Sequence, residues 1–247
     1  MEGSRAFPFF PGASTELMRR RELLRRVDTK FVVPTAALDG LLEGLNTHYA
    51  CLRVPSGNVA TYESLYFDTT AMQCFHDHRR GRRIRHKIRI RHYPDRQVSF
   101  LEIKTKRNET VTDKHRLAIP FGSEVLGDGE LAFLREHIGG LADELRPELR
   151  IGYRRLSLIG VGAAERVTID LDMSVAGSTE IGRLLGHLAV VEVKQESFSQ
   201  RTPIMRSLRG AAVREMSLSK YVIAVAVMRP ELRRNRFLPD LRSLERI

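Results

Sequence analysis

RIRHKIRIRHYPDRQVSFLEIKTK, residues Arg83 to Lys106, decides how this chain is read. With a period of two, Arg83, Arg85, Lys87, Arg89 and Arg91 fall on one side, and Ile84, Ile88 and Ile90 on the other. This is strand alternation with a polar face made almost wholly of cations. Pro94-Asp95-Arg96 has turn composition, and a second run, Val98 to Lys106, sets Glu102, Lys104 and Lys106 opposite Leu101 and Ile103. Two adjacent strands carrying this much positive charge repel each other in water. Two readings follow: a solvated outer face of an ordinary sheet, or a face occupied by a polyanion or by interleaved carboxylates.

The flanking segments repeat the pattern. Upstream, Arg26, Asp28 and Lys30 alternate with Val27 and Phe31 until Pro34, which opens a helix over 35–45 striped by Leu38, Leu41, Leu42 and Leu45. Tyr62 to Thr69 reads as a second strand, a short helical or irregular piece spans 71–80, and Gly81 releases the chain into the basic strand. Downstream, Thr110 to Ile119 is a fifth strand carrying Lys114 and Arg116, and 126–138 is an amphipathic helix ended by Gly139-Gly140. Leu149 to Leu158 and Glu165 to Met173 are strands joined by Gly160-Val161-Gly162, and the second aligns Arg166, Thr168, Asp170 and Asp172. His187 to Gln195 is the eighth strand, with Glu192 and Lys194 together, followed by helices over 203–209 and 218–228, the latter capped by Ser217 or Ser219. Residues 1–24 read as a flexible arm, 25–228 as one domain and 229–247 as a basic surface tail.

Composition narrows the class. The 247 residues can bury a sizeable core, and no run of about 18 apolar residues spans a membrane. The opening MEGSRAFPFFPGAS lacks a secretory layout, and Cys51 and Cys74 are the only cysteines. A disulfide framework is excluded, both cysteines read as packing residues, and a cytoplasmic location is expected. A formal charge of +11 calls for an anionic partner. The absence of Trp argues against a base-stacking single-strand binder. Nucleic-acid binders also carry their cations on an outer groove or helix rather than alternating within strands. No specific nucleic acid is therefore expected as partner.

A sandwich buries apolar inner faces and turns its polar faces outward, whereas here the polar faces are specific in composition. Eight strands can instead close into a barrel that holds side chains or one ligand. The expected fold is α+β: an antiparallel eight-stranded β-barrel tunnel lined by Arg, Lys and a few carboxylates, with helices packed on the outside. The pieces RVDTKF, YFDT, KIRIRHY, FLEIKTK, YRRLSL, RVTIDLDM, VVEVKQ and SLSKY, in this order over 25–228, resemble the VTC-type polyphosphate polymerase domain of the triphosphate tunnel metalloenzyme (CYTH-like) superfamily.

That resemblance implies the site. Arg89 and Arg91 match the family's RxR pair, Lys104 its ExK lysine, and Arg166 the arginine opening RxTxD; these four would act on the moving phosphoryl group. Lys30, Arg155, Ser219 and Lys220 would bind phosphate, as would Lys114 from its place on the polar face of the fifth strand, and Glu192 would hold Mn²⁺ or Mg²⁺, hard ions suited to carboxylate and phosphate oxygen. The superfamily's first-strand ExExK is replaced by Arg26-Val27-Asp28-Thr29-Lys30, which keeps only the lysine. The implied activity is metal-dependent transfer of the terminal phosphate of ATP to polyphosphate, so ATP and polyphosphate are the expected partners, and association with a membrane partner is left open. A tripolyphosphatase or nucleoside triphosphatase of the same fold, or a non-catalytic polyphosphate-binding module, are the alternatives.

Overall fold

The computed structural model describes residues 9–21, 27–108 and 112–247. Its strands are β1 (Val27–Pro34), β2 (Tyr49–Cys51), β3 (Val59–Thr69), β4 (Arg85–Tyr93), β5 (Val98–Lys106), β6 (Thr112–Ile119), β7 (Leu145–Gly160), β8 (Glu165–Val175) and β9 (Leu188–Gln195). The helices are α1 (Thr15–Arg20), α2 (Leu38–Leu42), α3 (Gln73–Arg80), α4 (Asp128–Ile138), α5 (Thr179–Leu185), α6 (Pro203–Gly210), α7 (Lys220–Met228) and α8 (Leu238–Leu244). Arg26 and Thr110, expected to open the first and fifth strands, lie outside the described residues. Within the expected arm, Phe10 is fully buried and Gly12 bridges to Cys51. Both cysteines are buried and free, as packing residues are.

All strand pairs are antiparallel, in the order β1-β9-β8-β7-β3-β4-β5-β6, with β2 added on β7. The α+β antiparallel architecture is as read from the sequence, but the sheet is open: no ladder joins β1 to β6 among the described residues. The cause lies at the edge of β1. The segment before α7 lies there, with Glu215 bridged to Phe31 and the Met216 amide donating to the Lys30 carbonyl at 2.8 Å. Hydrogen bonds that closure would need are thereby satisfied by a loop. The basic strand also starts later than expected, at Arg85. Gly81 ends α3 with φ of +68°, a conformation a side chain disfavours, and Arg82 turns back to Asp77. Arg83 and Ile84 consequently stand outside the strand.

Alternation gives the sheet two different faces. Outward, Leu65, Phe67, Ile88, Ile90, Leu101 and Ile103 pack under Leu134 of α4. The outward residues of β1 and β7–β9, among them Val33, Leu156, Ile169 and Val191, pack under α2 and α6 through Leu38, Leu42, Ile204 and Leu208. Each fully buried side chain of this kind contributes about 1.5–3 kcal/mol by transfer from water. One helix behaves differently. Residues Tyr221 to Ala226 of α7 are all buried, so the helix has no solvent face. It packs against Val32, Tyr66, Leu149, Ile151 and Val190, inward residues of the sheet, and fills one end of the concave side.

Candidate functional site

Register brings the remaining inward residues together, because directly paired residues share a face. Lys30 is opposite Glu192, and Glu192 opposite Thr168. Asp170 is opposite Arg155, and Tyr153 opposite Tyr62. Arg91 is opposite Ser64, Arg89 lies between Tyr66 and Glu102, and Lys104 lies between Lys87 and Lys114. The concave face is therefore a continuous polar surface drawn from all eight strands of the main path.

Its three buried or largely buried carboxylates are each clamped by two cations. Glu102 accepts from Arg89 Nε at 2.8 Å and Nη2 at 2.6 Å, and pairs with Lys114 at 2.6 Å. Burial pushes its carboxyl up, but Arg89, Arg91 and Lys114 outweigh burial and hold it at about 2. Asp170 accepts from Arg155 Nη2 at 2.8 Å and from Lys220. Glu192 pairs with Lys30 at 2.7 Å and with Lys194. In both, burial raises the carboxyl and the paired cations overcome it, keeping the group below the usual carboxylate range. None of the three is poised to take a proton near neutrality.

Arg91 is treated differently. It is 5% exposed, yet among the described residues it reaches no carboxylate within ion-pair distance; its Nε donates to Ser64 Oγ at 3.0 Å. Its guanidinium lies 5.2 Å from the Tyr62 ring centre and 5.6 Å from that of Tyr153, while Arg155 lies 4.9 and 5.3 Å from the same rings. The two rings stack at 5.2 Å and 11°. Lys220 sits 4.8 Å over Tyr153. An aromatic floor attracts cations without discharging them, so two arginines stay side by side: Arg155 gives its fork to Asp170, while Arg91 forms no ion pair among the described residues and can receive phosphate oxygens.

The expected site residues thus share one face. Lys30, Lys104 and Ser219 line a cavity at the α7 end, Arg155 and Lys220 meet on Asp170, and Arg89 and Lys114 meet on Glu102. Ser219 is the N-cap residue of α7, without a side-chain capping bond. Arg166 lies in register with Lys194, toward the end opposite α7. The sequence reading gave no site role to Tyr62, Ser64, Tyr66, Lys87 or Lys194, although the first three already alternate within YESLYFDT. A metal is less well provided for. Among the described residues no group of three His, Cys, Asp or Glu could hold an ion, and both Glu192 oxygens are engaged by lysines. The described residues do not compose a resident metal site.

The comparisons agree with this geometry. No curated protein sequence matches the chain. Among solved structures, a candidate adenylate cyclase from Bacillus halodurans is similar in fold, at 12% identity and a TM-score of 0.57, over 81% of this chain and 96% of that one. A candidate adenylyl cyclase from Hippeastrum, for which a dominant triphosphatase activity is described, matches at 16% identity over 81% and 94% of the two chains, with a TM-score of 0.49. The PH1819 protein of Pyrococcus horikoshii matches at 14% identity over 83% and 98%, with a TM-score of 0.46. Identities this low speak to fold alone, and only the first of these scores is high enough to carry even that. The VTC domain model matches residues 25–229. With that match over most of its length and a cation-lined concave sheet beneath it, the chain belongs to the VTC domain family, within the triphosphate tunnel fold.

Proposed function

We propose that the chain is a polyphosphate polymerase, transferring the terminal phosphate of ATP to the end of a polyphosphate chain. The observation that supports this most is the contrast on the concave face between fully clamped carboxylates and Arg91, which forms no ion pair among the described residues, beside Arg155. A terminal oxygen of the acceptor attacks the γ-phosphorus, the bond from that phosphorus to the β–γ bridging oxygen breaks, and ADP leaves with the electron pair. The acceptor is already an anion, so no base is needed, and the work is alignment and charge neutralisation. Arg89, Arg91, Lys104 and Arg166 are proposed to face the moving group, and Lys30, Lys114, Arg155, Ser219 and Lys220 the flanking phosphates. A Mg²⁺ or Mn²⁺ ion would come bound to the nucleotide's phosphates and would neutralise charge on their oxygens.

Hydrolysis by the same fold requires a carboxylate that orients water. Glu102, Asp170 and Glu192 each already accept from two cations, which favours an anionic acceptor over water. An ATP donor would suit the cytoplasmic location expected from the sequence. Among the described residues no helix is long and apolar enough to cross a membrane. Purified protein incubated with ATP and Mn²⁺ should yield long-chain polyphosphate on a gel, with ADP in proportion. Orthophosphate alone would make the protein a triphosphatase; polyphosphate binding without turnover would make it a binding module.

A further inference from the structure

The arginines of β4 face hydroxyls on β3. Ser64 stands opposite Arg91 and accepts from its Nε at 3.0 Å, and Tyr66 stands opposite Arg89 and accepts from its Nη1 at 2.9 Å. Arg89 gives Nε and Nη2 to Glu102, so its guanidinium is held from both flanks. The Tyr66 hydroxyl differs from its neighbours in what it leaves over. Its acceptor side is taken by Arg89, yet among the described residues its own hydrogen meets no acceptor, although the residue is only 5% exposed. A buried donor left without an acceptor costs about 1–3 kcal/mol, which a ligand oxygen would recover.

The ring is fixed before any ligand arrives. It stacks on Tyr221 of α7 at 5.2 Å and 21°, and the Tyr221 hydroxyl donates to Asp68. Asp68 also accepts the amides of Cys74 and Phe75, at the start of α3, at 2.8 and 2.9 Å. The ladder between β3 and β7 slips directly after Tyr66, an irregularity of the kind that re-aims a side chain beside a site. The charged groups around the hydroxyl are Arg89 and Arg91 from β4, Glu102 from β5 through Arg89, and Lys220 from α7, while β7 presents the apolar Leu149. Burial pushes the phenol up, but the three cations outweigh burial and bring it below its ordinary value. A lysine at this place would repel those cations, whereas a hydroxyl offers a hydrogen to a phosphate oxygen and adds no charge. We propose that Tyr66 is a further catalytic residue, whose hydroxyl donates to a non-bridging oxygen of the transferred phosphoryl group beside Arg89. No proton is transferred; the hydrogen bond strengthens as charge gathers on that oxygen. The inference rests on the polymerase reading and adds a neutral donor to its cationic site.

Tyr66→Phe keeps the ring and its stack on Tyr221 and removes the donor alone. In the full chain with ATP and Mn²⁺, kcat should fall on the order of a hundredfold while KM for ATP and the melting temperature hold. A wild-type kcat in this variant would overturn the proposal. A second measurement needs no variant to fold. Of the chain's six tyrosines, burial raises Tyr49, Tyr62, Tyr93, Tyr153 and Tyr221, so Tyr66 should be the first to appear in the tyrosinate absorbance, below about pH 10. Saturating tripolyphosphate should move that first step to higher pH, because a hydroxyl that donates to phosphate keeps its proton. A step left in place by bound tripolyphosphate would overturn the proposal. Wild-type protein in which the step moves but ATP yields no polyphosphate would defeat the polymerase reading alone and leave Tyr66 as a phosphate contact.

Discussion

Glu102→Gln removes one negative charge and little else, and the structure fixes what should follow. The Glu102 side chain is 3% exposed, bonded twice to Arg89 and once to Lys114. Its carboxyl is displaced from 4.5 to about 2, which corresponds to about 3 kcal/mol of stability. Because the folded-state value is the lower one, this stability is present above pH 4.5 and is lost as pH falls through about 2. Removing one partner of a buried pair costs about 3–5 kcal/mol in general, and the amide retains an acceptor, so a loss of about 3 kcal/mol at pH 7 is expected. Urea unfolding at pH 7 and at about pH 3 measures it: the gap between wild type and variant should narrow at the lower pH. Arg89 and Lys114, released from the carboxylate, should bind polyphosphate at least as tightly per folded molecule. A variant as stable as wild type that no longer binds polyphosphate would refute the reasoning and make Glu102 part of the phosphate site.

Three further outcomes are expected. Arg89→Met should lower the melting temperature by leaving Glu102 short of a partner, whereas Lys104→Met, which removes an uncompensated cation, should hold or raise it while weakening pyrophosphate binding; thermal scans and calorimetry check both. Tyr62→Leu should weaken polyphosphate binding by about 0.5–2 kcal/mol with little change in stability, and Tyr62→Phe, which keeps the ring under Arg91 and Arg155, should restore it. Since burial and neighbouring cations depress Lys87, phosphate binding at about pH 9 should take up protons, seen as a buffer-dependent heat; proton release would contradict the crowding described.

The alternation of Lys87, Arg89 and Arg91 against Ile88 and Ile90 was legible because a strand has only two faces. It placed the candidate cations on one surface without coordinates. Pairing was not legible: that Glu102 belongs to Arg89 and Lys114, or Asp170 to Arg155 and Lys220, depends on register between strands far apart in sequence. The opening of the sheet at β1 escaped for the same reason, since Glu215 and Met216 reach that edge from the far end of the chain. The short β2 is too brief to show a period, and α8 lies in a segment read as tail, although Leu241 and Leu244 are buried. The apolar run of α7 is uniform rather than striped, the mark of a helix buried all round, and it packs on the concave side.

The central claim is that phosphates bind on the concave face, along the row from Lys104 to Arg91. A crystal structure with an imido analogue of ATP and Mn²⁺ tests it most directly. The expected result is phosphate oxygens within hydrogen-bond distance of Arg91 and Arg155, with manganese, located by anomalous scattering, among the phosphates. Phosphate density on the outer face, beneath α4 or α6, would contradict it.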